Sequence, residues 1–352
     1  MNKITTAFFL LFSAIAFSQT YSGPESAEYD YANSRWLIAN TTSHEVLARS
    51  SSGVLTVFAS GLVSGPYGIE IVGNVLYCCS GASVKGYSLA TGANVFNLNV
   101  GATFLNGMTH DNSGNLYATD FSAKKIFKIN TTTQAFSAIA SSLVQSPNGI
   151  VFDQTNNRCV FVNWGASAPI KAIDISTNVV TTLLSTSLSN IDGITRDGAG
   201  NYYIATWGGQ NVLKYDSAFA NPATSVTTGL SNPADLFYNT VNNVLAIPNS
   251  GNNTVTFLDL SLGTNESNSL NALAVFPNPA NNETFVKFDG NEIVSASYEI
   301  VNIEGKVVAT TNLGEISNGQ FSVDTSKFPT GMYYLTLKAN GNSKTISLLV
   351  AH

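Results

Sequence analysis

Six short segments place the residues best able to do chemistry at a regular interval along the chain. They are Pro24-Glu25-Ser26-Ala27, Pro66-Tyr67-Gly68-Ile69, Asn106-Gly107-Met108, Pro147-Asn148-Gly149-Ile150, Asp192-Gly193-Ile194 and Pro233-Ala234-Asp235-Leu236, recurring at 42, 39, 42, 44 and 42 residues. One slot of this repeat reads Glu25, Tyr67, Asn106, Asn148, Asp192 and Ala234, so four of its six members are carboxylates or amides. Equivalent positions of a radial repeat form a ring at the mouth of its central channel. A concave set of oxygen donors with open water positions is what Ca²⁺ or Mg²⁺ takes. Asn and Asp also occur there without a ligand, because both satisfy turn backbone groups.

Phe121, Trp164 and Trp207 end three of the strands that follow these segments. In a propeller the loops after the second strands open on the face where the innermost strands begin. The three rings are therefore candidates for stacking on a sugar or other cyclic ligand, and equally for packing between blades. Other chemistry has little support. His44, His110 and His352 are not arranged with a nucleophile, and neither a Gly-x-Ser-x-Gly elbow nor a phosphate-cradling Gly-x-x-x-x-Gly-Lys occurs. His110 is expected to be a structural residue near the channel.

The elements that must position these side chains are short strands. Each segment opens one, and polar turns such as Asp111–Asn115, Asp153–Asn157, Asp197–Asn201 and Asn239–Asn243 lead into the next. Second strands are expected at Trp36–Ala39, Val75–Cys78, Leu116–Thr119, Cys159–Asn163, Tyr202–Thr206 and Val244–Ile247. Third strands follow, and fourth strands at Val54–Ala59, Ala135–Ala140 and Val179–Leu184. Four strands per period of about 41 residues predict a six-bladed β-propeller over residues 19–262. The sixth blade runs out after Thr254–Leu260, so its outer strand must come from Thr20-Tyr21 or be missing.

The chain of 352 residues carries 16 basic and 22 acidic side chains, a net charge of −6, and is only 11% charged and 44% hydrophobic. That composition excludes disorder, and no basic footprint for nucleic acid is present. Lys3, the apolar run Phe8–Phe17 and the small residues around Ala16 and Ser18 predict a signal peptide over residues 1–18. The run is too short to span a membrane, so a soluble, exported monomer is expected. Export permits disulfides, but Cys78, Cys79 and Cys159 make a poor framework and are expected to be buried free thiols.

Residues 263–272 read as a linker, and residues 273–352 alternate strands and turns without the earlier period, which predicts a small β-sandwich. The fold class is therefore all-β: a six-bladed β-propeller followed by a small β-sandwich. In the tail, Val275–Ala280, Ile303–Val308 and Phe328–Tyr334 resemble the C-terminal sorting domain (type A) of the Bacteroidetes type IX secretion system. That resemblance implies passage through the secretion machinery across the outer membrane, often with removal of the tail. The end, Leu349-Val350-Ala351-His352, lacks the usual terminal basic residue.

The segments Pro24–Tyr29, Asn106-Gly107, Pro147–Gly149 and Asp192–Ile194 resemble the senescence-marker-protein and gluconolactonase family of six-bladed propellers, and are shared with the broader NHL-repeat propellers. The first family holds a divalent cation with a Glu, an Asn and an Asp. By position the resemblance implies Glu25, Asn148 and Asp192 as ligands, Ca²⁺ or another divalent cation as cofactor, and Asn106 facing substrate. It implies a lactonase-like hydrolase in which the metal polarises the lactone carbonyl and Asp192 is general base on water. Phe104 stands where that family has an Arg, which detaches the chain from sugar-acid recognition. The alternative is a non-catalytic NHL-type propeller binding a protein or glycan at the cell surface.

Overall fold

A computed structural model describes residues 19–260, 273–287, 293–316, 320–339 and 342–352. The expected signal peptide and the linker fall outside these residues. The chain divides into two compact units, 1–261 and 262–352. Among the described residues no helix is long and apolar enough to cross a membrane.

Unit one is built from antiparallel sheets in sequence order. Five have four strands each, with the four in consecutive order, and the last has three, Phe237–Asn239, Val244–Asn249 and Thr254–Asp259. No fourth strand joins the last sheet among the described residues. Tyr21 instead packs against the apolar cluster of Trp36, Ile38 and Ala246, beside Val255 and Phe257.

Local chemistry explains most of these hairpins. Except at Ile69–Val72, which closes on a Gly73-Asn74 turn, the inner strands end at an acid or amide whose side chain bonds the turn that follows, so the chain reverses after a few residues. Asp111 Oδ1 accepts from the backbone N–H groups of Ser113 and Asn115, at 2.8 and 3.0 Å. Asp197 Oδ1 does the same for Ala199 and Asn201, at 3.0 and 2.8 Å. Second strands such as Arg35–Asn40, Asn115–Asp120 and Tyr202–Thr206 are buried along almost their whole length, because both faces of each sheet are covered by its neighbours. Cys78, Cys79 and Cys159 are free thiols buried in this packing.

The inner strands Pro24–Asp30, Ile69–Val72, Leu105–His110, Ser146–Asp153, Ile191–Arg196 and Phe237–Asn239 lie each against the next, and the last lies against the first. Their starts approach closely enough to demand glycine. A Cβ on Gly107 would meet the Asn148 carbonyl oxygen at 2.5 Å, and one on Gly149 the Asp192 carbonyl oxygen at 2.6 Å. Gly68 donates its N–H to the Asn106 carbonyl at 2.7 Å, and Asp235 donates its N–H to the Glu25 carbonyl at 2.8 Å. A cavity of about 80 Å³ runs between the strands, lined among others by Glu28, Glu70, Thr109, Val151, Thr195 and Phe237.

Unit two contains a three-stranded sheet, Ala274–Phe276, Glu283–Lys287 and Gln320–Asp324. Beside it is a four-stranded sheet of Val307–Ile316, Ile293–Asn302, Gly331–Ala339 and Asn342–Val350. Its core includes Val286, Tyr298, Ile300, Val323, Leu335, Leu337 and Leu348. The alternation of exposed and buried residues along Gly331–Ala339 is the period-two pattern of a half-buried strand.

Candidate functional site

The starts of the inner strands carry the oxygen donors singled out in the sequence. Asn106, Asn148 and Asp192 are all buried, and Glu25 is half-buried. The Asn148 amide donates to the Ile191 carbonyl at 3.4 Å, which sets it beside Asp192, where it favours the charged carboxylate. Nevertheless burial, followed by the nearby charges of Glu25 and Asp235, pushes the Asp192 carboxyl well above its ordinary range. Burial also pushes Glu25 up to about 7, against the Ser250 hydroxyl that donates to its Oε2 at 3.0 Å. Glu25, Asn148 and Asp192 therefore share one neighbourhood. Asn148 Oδ1 is buried there with no hydrogen-bond partner, a costly state for an amide oxygen.

Asp235 is the member that the sequence reading missed. It occupies the slot after Ala234, where four of the other five inner strands carry Gly68, Gly107, Gly149 and Gly193 and the fifth carries Ser26. The Ser26 hydroxyl donates to Asp235 Oδ2 at 3.0 Å. Burial raises the Asp235 carboxyl to about 8, with Glu70 and Glu25 adding repulsion and Ser26 opposing it. Departure from glycine on two strands was the available signal, and only ring closure makes those strands neighbours.

Deeper in the cavity stand Glu28 and Glu70. Burial raises both; Glu70 and Asp235 push Glu28 further, whereas His110 restrains Glu70. His110 Nδ1 and Glu70 Oε1 are 2.5 Å apart. Burial disfavours the charged imidazole, but Glu70 and Asp111 outweigh it and raise its pKa. His110 is thus tied to the channel wall.

Can this set hold a cation? Among the described residues no group of three or more His, Cys, Asp or Glu side chains is placed to hold a metal ion. A site on Glu25, Asn148 and Asp192 is of another kind, two carboxylates and one amide. An orphaned amide oxygen beside carboxylates that repel one another suits a hard divalent ion, which takes oxygen donors and relieves that repulsion.

The aromatic candidates form one run. Tyr67 and Phe104 have ring centroids 4.5 Å apart, Phe104 and Phe121 5.7 Å, Phe121 and Trp164 6.1 Å, and Trp164 and Trp207 5.2 Å, every pair edge to face. Register puts them at the strand starts: Trp164 pairs with Ser146, and the backbone N–H of Trp207 donates to the Asn190 carbonyl at 3.0 Å. All five are half-buried. They pack on one another and keep part of each ring open, and Phe104 and Tyr67 join the three rings expected from sequence.

Residues 274–351 match the family of secretion system C-terminal sorting domains. That tail marks proteins exported by the type IX secretion system to the cell surface or beyond, and it addresses the chain to the secretion machinery. No curated protein matches the chain in sequence.

Several solved structures share its fold. A chain of the nidogen/laminin complex is 17% identical, with a TM-score of 0.57, over 64% of this chain and 89% of that one. The XC5397 gluconolactonase of Xanthomonas campestris is 14% identical, with a TM-score of 0.57, over 65% of this chain and 83% of that one. The extracellular domain of BT4673 from B. thetaiotaomicron is 14% identical with a TM-score of 0.58; the match covers 93% of this chain and spans 50% of that longer one. At these identities the likeness is one of fold, and it supports a propeller.

Proposed function

We propose that the exported chain is a divalent-cation-dependent hydrolase of lactones or related cyclic esters, built on a closed six-bladed propeller. The observation that carries the reading is Asn148 Oδ1, buried without a partner in the neighbourhood that Glu25 and Asp192 share. Glu25, Asn148 and Asp192 would hold the ion. When bound, Ca²⁺ or a similar ion supplies Lewis acidity toward a carbonyl oxygen.

The remaining chemistry belongs to the chain. Asp192 would take the proton of an attacking water on its carboxylate oxygen. Asn148 stands beside Asp192, its amide held by the Ile191 carbonyl at 3.4 Å. Asn106, at the start of the neighbouring inner strand, would meet the substrate, and the run from Tyr67 to Trp207 would offer ring faces and edges to a cyclic ligand. A panel of simple lactones assayed with Ca²⁺ and with chelator tests the reading. Turnover that survives chelation or Asp192→Asn would overturn it.

A second reading is favoured by the aromatic run itself, with Phe104 inside it. Such a half-open apolar face suits a non-catalytic propeller that binds a glycan or protein at the cell surface, and the nidogen/laminin likeness shows the fold in a protein complex. Ligand binding that persists in chelator, with no lactone turned over, would select this reading.

A further inference from the structure

At the end of the sheets opposite the channel mouth, the turns following Ser146–Asp153 and Ile191–Arg196 border a cavity of about 670 Å³. That volume lies in the range of small-molecule sites. Two guanidinium groups, Arg158 and Arg196, line it, with side chains 21% and 16% exposed.

One carboxylate serves both. Arg158 Nε lies 2.9 Å from Asp153 Oδ2, and Arg196 Nη1 lies 3.1 Å from Asp153 Oδ1. Burial opposes ionisation of Asp153, but Asn156, Tyr202 and the two guanidinium groups outweigh it and hold its carboxyl below the ordinary range. Asp153 is therefore charged at neutral pH, and two cations against one anion leave a positive excess.

Asp197, the acid that lines the cavity, does not cancel that excess. Asp197 accepts from the N–H groups of Ala199 and Asn201 and from Asn201 Nδ2, and it lies 3.5 Å from the Lys214 ammonium behind it. Arg196 Nε is buried with no hydrogen-bond partner. Arg158 uses Nε on Asp153 and carries further donors, since a guanidinium has five N–H groups. Arg35 makes the comparable contact to Asp30 in the first sheet, but there Nη2 is taken by the Leu89 carbonyl at 2.6 Å.

Phe219 also borders the cavity, its side chain buried in the core. Phe219 holds φ at +55°, a conformation that a bulky side chain rarely adopts, and its ring stacks on Tyr202 with centroids 4.7 Å apart. The Asp216 carboxylate fixes that loop by accepting from the N–H groups of Ala218, Ala220 and Asn221. Strained backbone maintained by such a device is a frequent companion of binding sites.

We propose that this cleft binds the oxyanion of a small organic ligand, a carboxylate or a sulfate or phosphate ester, with Arg158 and Arg196 as its counter-charge. Guanidinium groups suit such anions because their N–H groups pair with two oxygens at once. The site is independent of the channel mouth and of the hydrolase reading.

The test uses the full chain, titrated calorimetrically at constant ionic strength with glucuronate, glucose 6-sulfate, glucose 6-phosphate and, as neutral control, glucose. At least one anion is expected to bind with a dissociation constant of about 1 mM or tighter, and glucose is not. Which anion binds separates carboxylate from ester recognition. A Cβ on Gly198 meets nothing within 4 Å, so Gly198→Glu adds a like charge without disturbing the packing. It should weaken binding at least about tenfold, a 1.4 kcal/mol loss, at an unchanged melting temperature. Ser217→Glu, on the exposed rim, reads the same effect should Gly198→Glu fold poorly. No anion bound at about 10 mM, or equal binding by both glutamate variants and the parent chain, overturns the proposal.

Discussion

The Ser26 hydroxyl donates a 3.0 Å hydrogen bond to Asp235 Oδ2, joining the first inner strand of the repeat to the last across 209 residues of sequence. Beside it the Asp235 N–H donates to the Glu25 carbonyl at 2.8 Å. This seam brings Asp235 and Glu25, from opposite ends of unit one, into the electrostatic neighbourhood of Asp192.

The raised carboxyls make stability pH-dependent in an uncommon direction. Glu25 is raised to about 7 and Asp235 to about 8, so between the unfolded value near 4 and these values the folded chain holds more protons than the unfolded one. Their stabilising contribution is complete below about pH 4 and is lost as pH climbs toward 8. In chelator, the midpoint of urea unfolding should fall between pH 5 and pH 8 in the parent and fall less in Asp235→Asn. A midpoint that rises over that window in both would contradict the assignment.

Calcium should act on the same groups. An ion that binds only the folded chain, present at about 100 times its dissociation constant, adds about 2.7 kcal/mol. Thermal melts with and without Ca²⁺ should show that shift in the parent and lose it in Asn148→Leu, which removes the orphaned oxygen while keeping the volume. An identical shift in both proteins counts against Asn148 as a ligand.

Catalysis should depend on Asp192 more steeply than folding does. Loss of a general base typically costs about 10² to 10⁴ in rate. Asp192→Asn preserves shape and removes the mutual repulsion with Glu25 and Asp235, so lactone turnover should collapse while the urea midpoint holds or rises. Retained turnover would reassign the base.

Close strand approach should make the inner glycines intolerant. A Cβ on Gly149 would sit 2.6 Å from the Asp192 carbonyl oxygen and 2.9 Å from the Gly193 Cα, both backbone atoms of the adjacent strand. Gly149→Ala should destabilise unit one by about 1–3 kcal/mol, the usual cost of overpacking. Gly61→Ala, with open space but φ at +75°, reports the strain of backbone conformation alone. Equal losses would mean that strand approach is not the constraint.

Export should depend on the second unit. Deletion of residues 274–351, the span matching the sorting domain, is expected to leave the chain in the periplasm, as fractionation and surface labelling would show. Appearance at the surface without the tail would require another export signal.

Local order was legible because it is made by local chemistry. Asp111, Asp197 and Asn239 each bond backbone N–H groups two to four residues ahead, so a turn and its two strands can be read from a short window. The repeat slot was legible for the same reason, since identical local units stack in one register. The outer edge of the last sheet was not: Tyr21 has strand-like chemistry, yet packing beside Phe257 rather than pairing with Thr254–Asp259 is a choice between distant partners.

From the sequence alone came the strands, their turns, the repeat, the change of pattern near residue 273 and the sorting motifs, all set by interactions spanning a few residues. Only the tertiary structure decided that Asp235 stands with Glu25 and Asp192, that Phe104 and Tyr67 extend the aromatic run, and that Arg158 and Arg196 share Asp153. The physical reason is that Coulomb interaction, burial and ring packing act through distance in space. Distances between residues far apart in the chain are set by how the sheets assemble.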